Sequence, residues 1–334
     1  MRTSALFSQI SVWRSLIQWG FFCWILYLGI RFGLFVRHFE SAGATPFYSR
    51  PPGVEGFLPI GALVSLKHWL TTGVVDAIHP AALVLFVTFL TMSLLAKKSF
   101  CSWLCPVGTV SEGTWKLGRR LFGRNFRIWT WLDIPLRGLK YLLFFFFAKI
   151  ILLDMPSQAI GAFIRTPYWA ISDVKMLHFF TGMSLTALLV IAVLVVLSLF
   201  YKNFWCRYLC PYGALLGLLS MVSPMKIRRT ATLCNGCQRC TRSCPADLPI
   251  HRKTSIHSPE CIGCAGCVEQ CPEKALAMSL PLLSQPLPRW VFPLLLVLIY
   301  SGGVTFGMVT GHWQTSLSYA DYQMLIPLVP QIGH

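Results

Sequence analysis

Charge is what this sequence has least of. Asp, Glu, Lys and Arg make up 12% of its 334 residues, roughly half the 25% or so of a soluble globular domain. Acidic charge is the scarcer kind, with 12 Asp and Glu against 29 Lys and Arg and a formal net charge of +17. That scarcity excludes an ordinary soluble fold, and the apolar share of 55% with a mean hydropathy of +0.60 points to a bilayer. No A-x-A-like cleavage site follows the first apolar run, so an uncleaved membrane segment is expected there rather than a signal peptide. In a soluble chain the positive balance would suggest nucleic acid. Here the basic residues fall between apolar runs, where they act as topology signals and contacts to membrane lipid, and no nucleic-acid partner is expected.

Long apolar runs are present. Residues 16–36, 77–96, 139–153, 179–201 and 290–309 are the candidate spans. About 20 apolar residues cross a hydrocarbon core of about 30 Å. The third run is short, but Trp129, Trp131 and Tyr141 supply interfacial anchors. The run 57–70 is too short to span and contains Lys67 and His68, so it is expected at the membrane surface or re-entering. With the N-terminus inside, segments 1–15, 97–140 and 202–289 hold 2, 9 and 11 of the 29 Lys and Arg. The positive-inside rule then predicts five spans, a cytoplasmic N-terminus and a periplasmic C-terminus.

Twelve of the 13 cysteines fall in four tight groups. Cys234, Cys237, Cys240 and Cys244 follow C-x2-C-x2-C-x3-C, with Pro245 next, and Cys261, Cys264, Cys267 and Cys271 repeat it before Pro272. This is the bacterial two-cluster ferredoxin spacing, in which the fourth cysteine of each run serves the other cluster. It predicts two [4Fe–4S] clusters, one on Cys234, Cys237, Cys240 and Cys271, the other on Cys261, Cys264, Cys267 and Cys244. Zinc sites do not require this spacing, and disulfides are disfavoured in the cytoplasm.

Cys101-Ser-Trp-Leu-Cys105-Pro106 and Cys206-Arg-Tyr-Leu-Cys210-Pro211 follow the second and fourth spans with matching flanks, which reads as an internal duplication. The i, i+4 spacing puts both sulfurs of a pair on one helical face. Four thiolates suffice for a redox or metal site where the copies converge. Reduced thiols packing helix ends are the plainer alternative, and Cys23, alone in the first span, is read as packing.

Two C-x3-C-P motifs at membrane exits, followed by a double ferredoxin motif before the last span, resemble the NapH/NosR-type membrane ferredoxins, over about residues 51–309. The resemblance implies a quinol dehydrogenase-like role feeding periplasmic reductases. The chain departs from the NosR pattern in having no Asp-Gly-x-Thr-Gly-Ala-Thr-like flavin segment, and from CcoG-type copper-handling proteins in its short tail after the last span. A NapH-like relay with separate partners is therefore expected. The alternative is a maturation protein that reduces a metal or thiol during assembly of another enzyme.

A relay across the bilayer needs groups in its outer half, where His38, His68, His79, His178, His312 and His334 map. Asp76 and His79, three apart at the start of the second span, read as neighbours on one helical face and as a quinol site, since imidazole titrates in the useful range. Paired histidines would instead suit haem. Arg31 and Lys149 lie near outer span ends, where snorkelling is the plain reading. Trp115, Lys116, Arg119, Arg120 and Arg124 suggest an interfacial basic helix. Arg239, Arg242, Arg252 and Lys253 make the ferredoxin region basic, suited to an acidic partner. The expected fold is an all-α integral membrane bundle of about five helices with a cytoplasmic α+β ferredoxin-like insert. Its divisions are 1–225 (four spans and both C-x3-C-P motifs), 226–285 (two clusters) and 286–334 (fifth span and tail), in a bacterial inner membrane.

Overall fold

The computed structural model describes residues 10–280 and 287–332, and they are mostly helical. In chain order the helices are α1 Ile10–Glu40, α2 Pro59–Thr72, α3 Pro80–Ala96, α4 Phe100–Trp103, α5 Pro106–Phe122 and α6 Thr130–Ala148. There follow α7 Ser157–Phe163, α8 Pro167–Ala170, α9 Ser172–Thr181, α10 Leu185–Phe200, α11 Phe204–Tyr208 and α12 Pro211–Val222. Strand β1 Lys226–Arg229, α13 Arg239–Ser243, α14 Gly266–Glu269, β2 Leu276–Ser279, α15 Val291–Val309 and α16 Tyr319–Leu325 complete the order.

Among the described residues two helices, α1 and α15, are long and apolar enough by themselves to cross a membrane. α1 has 31 residues, about 46 Å at 1.5 Å per residue, and exceeds the hydrocarbon core. The expected span 179–201 is helical only from Leu185 onward, apart from the last turns of α9, and α9 and α10 are bent by 75° at the break. Gly182 ends α9 and the Ser184 hydroxyl accepts the Ala187 N–H, which starts the next helix afresh. The third run continues α6 into a π-helical turn, Lys149–Asp154. The short run 57–70 forms α2, and its Lys67 ammonium donates to the carbonyls of Ile151 and Leu152 at 3.0 Å each, and to Met155. Those carbonyls end a helix and lack partners within it, so Lys67 has a structural task. Lys149 pairs with Asp154 at 2.7 Å, and the Arg31 guanidinium lies 5.2 Å over the Tyr48 ring. Cys23 lies on the exposed side of α1.

The chain divides into two compact units. The first comprises Met1–Phe22, Phe89–Phe144 and Ile191–Tyr300; the second comprises Cys23–Thr88, Phe145–Val190 and Ser301–His334.

In the first unit, β1 and β2 pair antiparallel, with Lys226 opposite Ser279 and Arg229 opposite Leu276, and so close the cysteine-rich segment at its base. α5 is amphipathic but not free at an interface, because Trp115 is buried and Gly118 meets the chain end of α10. A Cβ at Gly118 would lie 1.8 Å from the Leu199 carbonyl oxygen, so only glycine fits. Arg119 and Arg120 are on its exposed side. The acids of this unit are nearly all spoken for. Glu112 pairs with Arg14 and Lys116, Asp133 and Asp247 both hold Arg207, and Glu260 holds Lys140.

The second unit is centred on Phe32, Phe35, Val36, Phe39, Ile171, Val174, Tyr322 and Ile326, with a smaller cluster around Ile160, Ile164 and Trp169. Ser318 and Asp321 form a capping box that starts α16 and brings Tyr322 into this core.

Candidate functional site

The ferredoxin repeat is legible in the backbone. Gly236 and Gly263, Gln238 and Ala265, and Asp247 and Lys274 all have positive φ, and each pair is separated by the same 27 residues as the cysteines. Each loop thus turns left-handed before and after its second cysteine, which folds the first three thiols of the loop toward a common point. α13 and α14 carry the third cysteines, Cys240 and Cys267.

The side chains sort into two cavities. Cys234, Cys237, Cys240 and Cys271 line one, together with Arg229, Asn235, His251 and Glu273. Cys244, Cys261, Cys264 and Cys267 line another, together with Ile227, Leu248, Ile250, Ile256 and Ile262. Each cavity therefore takes three thiols from one loop and the fourth from the other. Four sulfur donors around one space, with no other ligand type needed, fit an iron–sulfur cluster.

The two cavities differ in electrostatics. Around the first, the Gly236 N–H and the Arg229 side chain hydrogen-bond Cys234 and hold its thiol below the usual range. Around the second, burial and the neighbouring Cys264 push Cys244 up to about 12, and burial takes Cys267 well above its usual value. Thiols so placed would give up their protons on binding a metal.

The C-x3-C-P pairs do not lie on one helical face, as the spacing alone suggests. Cys101 sits in the single turn α4 and Cys206 in α11, whereas Cys105 and Cys210 are the N-caps of α5 and α12. The proline after the second cysteine forces the break, since it suits the first position of a helix and not its interior. The two pairs are nevertheless within electrostatic reach of each other: Cys105 feels the charges of Cys101, Cys206 and Cys210, and Cys206 those of Cys210 and Cys101. Burial pushes Cys101 up to about 11 and Cys206 up to about 12, with the Lys98 ammonium acting against it in both. Cys210 Sγ accepts the Gly213 N–H at 3.2 Å. No three described His, Cys, Asp or Glu side chains stand in the tight array of a single-ion site.

This four-thiol group adjoins the second ferredoxin cavity. Ser102 Oγ donates to the Ile262 carbonyl at 2.6 Å and Trp103 Nε1 to that of Gly263 at 3.2 Å. Both acceptors lie between Cys261 and Cys264, and both donors lie between Cys101 and Cys105. Glu260, just before Cys261, accepts from Lys140 at 2.6 Å and Tyr141 at 3.0 Å.

In the second unit, Asp76 and His79 are buried, but they precede α3 and do not share a helical face. Asp76 accepts the N–H groups of Ile78 and His79 and the Trp169 indole, so it orders the turn into the helix. His79 Nε2 bonds the Trp169 carbonyl at 2.8 Å, and its Nδ1 lies 3.5 Å from Glu55 Oε1. Arg50 bridges Glu55 at 2.8 Å and Asp173 at 2.7 Å. The two carboxylates, with Tyr322 beyond them, outweigh the cost of burial and raise the Arg50 pKa. Sequence reading missed Arg50, Glu55 and Asp173. The signal was the scarcity of acids, since Glu55 and Asp173 in so acid-poor a chain ask for partners. His38 bonds Tyr319 and His178 bonds Glu40, and neither partner is another histidine. His334 lies outside the described residues.

The eight ferredoxin cysteines and their two cavities define an iron–sulfur protein of ferredoxin type. Comparison with known families agrees. A model described as a 4Fe–4S binding domain matches residues 78–125 and again 183–230, once over each C-x3-C-P copy, and a 4Fe–4S dicluster domain matches 226–272. The chain is 46% identical to YccM of Escherichia coli (strain K12) over 97% of this chain and 92% of that protein. It is 27% identical to the ferredoxin-type protein NapH of the same strain, over 56% of this chain and 63% of NapH. It is 28% identical to the regulatory protein NosR of Pseudomonas aeruginosa, over 63% of this chain and 29% of NosR. The chain belongs to the family of 4Fe–4S ferredoxin-type proteins that includes YccM, NapH and NosR, and it is an iron–sulfur electron-transfer protein of the membrane. No solved structure matches it.

Proposed function

We propose that the chain is a quinol dehydrogenase-like subunit of a bacterial inner membrane that relays electrons between the quinone pool and a partner oxidoreductase, periplasmic or membrane-bound. The observation that carries this reading is the sorting of eight cysteines, four to each cavity, which suits two clusters on a common insert. Cys234, Cys237, Cys240 and Cys271 would hold one, and Cys261, Cys264, Cys267 and Cys244 the other. When bound, such a cluster accepts and releases one electron at a time. The chain's own part is to supply thiolates, to dock the second loop on Ser102 and Trp103, and to leave the first cavity accessible to a partner through exposed Cys237.

Oxidation of a quinol releases two electrons and two protons, so a quinol site needs proton acceptors. In this reading His79 takes a proton, Glu55 stands 3.5 Å behind it, and Arg50 pairs with Glu55 at 2.8 Å. Asp76 positions His79 through the turn it caps. Five spans, an N-terminus inside, the insert 226–285 in the cytoplasm and the flanking divisions 1–225 and 286–334 complete the reading. The 22 Lys and Arg of segments 1–15, 97–140 and 202–289 support that orientation.

Two measurements test it. Quinol-driven reduction of the cluster EPR signals in membranes is expected to fall at least tenfold in His79→Gln, with dithionite-reducible clusters unchanged; an unaltered rate would remove His79 from the quinol site. Reporter fusions at Arg120 and Lys253 are expected to read cytoplasmic, and a periplasmic signal at either overturns the orientation.

A further inference from the structure

We propose that the face around the first ferredoxin cavity is the docking surface for a small, soluble, acidic protein that carries one electron at a time, on the side of the membrane that the insert faces. The surface itself rests on the first unit alone. That its electrons join a relay with the quinone pool, and which compartment holds the carrier, rest on the function proposed above.

The first observation is where the acids go. Residues 226–280 hold eight Lys and Arg against four Asp and Glu. Three of the four acids are turned to the rest of the unit. Asp247 pairs with Arg207 at 2.7 Å, Arg127 at 3.1 Å and Lys202 at 3.2 Å. Glu260 pairs with Lys140 at 2.6 Å, and Glu269 accepts the Ser11 hydroxyl at 2.7 Å. Arg228, Arg239, Arg242, Arg252, Lys253 and Lys274 are exposed, and among the described residues none of them makes an ion pair. The insert thus spends its acids inward and keeps its positive charge outside.

The second observation is arrangement. The Arg242 guanidinium donates to the Cys237 carbonyl at 2.9 Å, which holds it beside the first cavity. Arg239 stands between Cys237 and Cys240 and begins α13. Arg229, which lines the cavity, donates its Nε to the Lys253 carbonyl at 3.1 Å and its N–H to that of Thr254 at 2.8 Å. The basic 252–253 step therefore adjoins the cavity wall. Lys274 follows Glu273, another lining residue, whose carboxylate accepts the Asn235 amide at 3.0 Å. Cys237 is exposed, and so is the apolar Leu233 next to Cys234. Encounters between electron carriers are small and short-lived, and complementary charge steers them. A cluster ligand at the surface, an apolar side chain beside it and a basic surround meet those needs, and the complementary partner is acidic.

The third observation is that the chain itself covers the second cavity. Ser102 and Trp103 bond the carbonyls of Ile262 and Gly263. A Cβ at Gly263 would lie 3.4 Å from that of Lys97, and one at Gly217 would lie 2.8 Å from the Pro259 carbonyl oxygen. Lys202 Nζ donates to the Cys244 carbonyl at 3.2 Å. Of the two cavities, the first is the one a protein carrier reaches. The exchange is a single electron, lost by the carrier's centre and gained by the cluster on Cys234, Cys237, Cys240 and Cys271, or the reverse. No bond forms or breaks. Anionic lipid would also suit a basic face, but it gives no reason for the charge to gather at a redox cavity with an exposed ligand.

The test uses the full chain with its clusters, in detergent without added lipid, and a chemically reduced acidic two-[4Fe–4S] ferredoxin as the probe. The second-order rate of electron transfer to the oxidised chain is expected to fall steeply as salt is added. Arg239→Gln, Arg252→Gln and Lys253→Gln together are expected to lower it roughly tenfold at low ionic strength, with the iron count and both EPR signals retained. A rate unmoved by salt, or by the triple substitution, overturns the proposal. Should the triple variant lose iron, the wild type carries the test. The same ferredoxin with its carboxylates converted to neutral amides is expected to react roughly tenfold more slowly, and equal rates overturn the proposal. Lipid is tested in nanodiscs, where the acidic ferredoxin is expected to block amine labelling of Lys253 and Lys274 and phosphatidylglycerol is expected to leave it unchanged. Blocking by phosphatidylglycerol and none by ferredoxin makes the face a lipid surface and overturns the proposal. Exchange with ferredoxin but no reduction by quinol strikes the relay reading and leaves this surface standing; reduction by quinol without exchange does the opposite.

Discussion

The two ferredoxin cavities are built from the same sequence motif and almost the same backbone, yet their surroundings are opposite. The first is walled by Arg229, Asn235, His251 and Glu273, and its Cys237 is exposed. The second is walled by five isoleucine and leucine side chains, with Cys244, Cys261 and Cys267 buried. A repeat thus fixes where thiolates converge, while the parts of the chain outside the repeat decide polarity, and polarity with net charge sets the potential of an iron–sulfur centre. The polar cavity suits exchange with a partner, and the apolar one faces inward, toward the C-x3-C-P group.

The largest test of this contrast is to remove one thiolate from each cavity. Cys234→Ser and Cys261→Ser are each expected to cost about four irons. Only Cys261→Ser is expected to loosen the contact with Ser102 and Trp103 as well, read as faster proteolysis of the insert. If both variants lose all ferredoxin iron, the two sites do not assemble separately.

Next comes the ion pair beside the apolar cavity. Glu260→Gln leaves Lys140, which is fully buried, without its carboxylate. Breaking a buried pair on one side costs about 3–5 kcal/mol, so a clear fall in the thermal midpoint in detergent is expected. Lys140→Met combined with Glu260→Gln is expected to recover most of it. A single variant as stable as the wild type would show that Lys140 finds another partner.

A smaller effect is expected at the polar cavity. Arg229→Gln removes a hydrogen bond and a positive charge from Cys234, and it is expected to lower the midpoint potential of that cluster alone. Equal shifts in both clusters would mean that the cavities are not electrically distinct.

The smallest is a pH effect away from both cavities. Burial opposes the charge of Glu112, but Arg14 and Lys116 outweigh it and hold the carboxyl below its usual 4.5. Its contribution to stability is therefore complete above about pH 4.5 and is lost as the pH falls through the lower folded value. Glu112→Gln is expected to flatten the stability profile in that acidic range and to lower it at neutral pH. A parallel profile would assign the acid dependence to another carboxylate.

Much of the cysteine chemistry was legible in the chain because it depends on spacing. Three thiols within seven residues must converge once the loop turns, and the proline after the fourth directs it elsewhere. The apolar runs were legible for the same local reason, since a helix in hydrocarbon satisfies its own backbone. The break at Gly182–Ser184 was less so, because residues 179–201 remain apolar through it. The spacing of Asp76 and His79 suggested a helical pair, but helix α3 begins only at Pro80. Their proximity comes from a capping turn.

By itself, then, the sequence determined a membrane chain, the ferredoxin repeat, its thiol sets as a spacing rule, and the duplication of C-x3-C-P. Only the tertiary structure decided that Arg50, Glu55, His79 and Asp173 form one buried network, that Glu260 is held by Lys140, and that the Lys98 ammonium acts on three cysteines, Cys101, Cys206 and Cys210, from two distant copies. Local periodicity and spacing constrain neighbours along the chain. Partners such as Arg50 and Asp173, 123 residues apart, meet because a buried charge must find an opposite one, and which one it finds depends on how the helices pack.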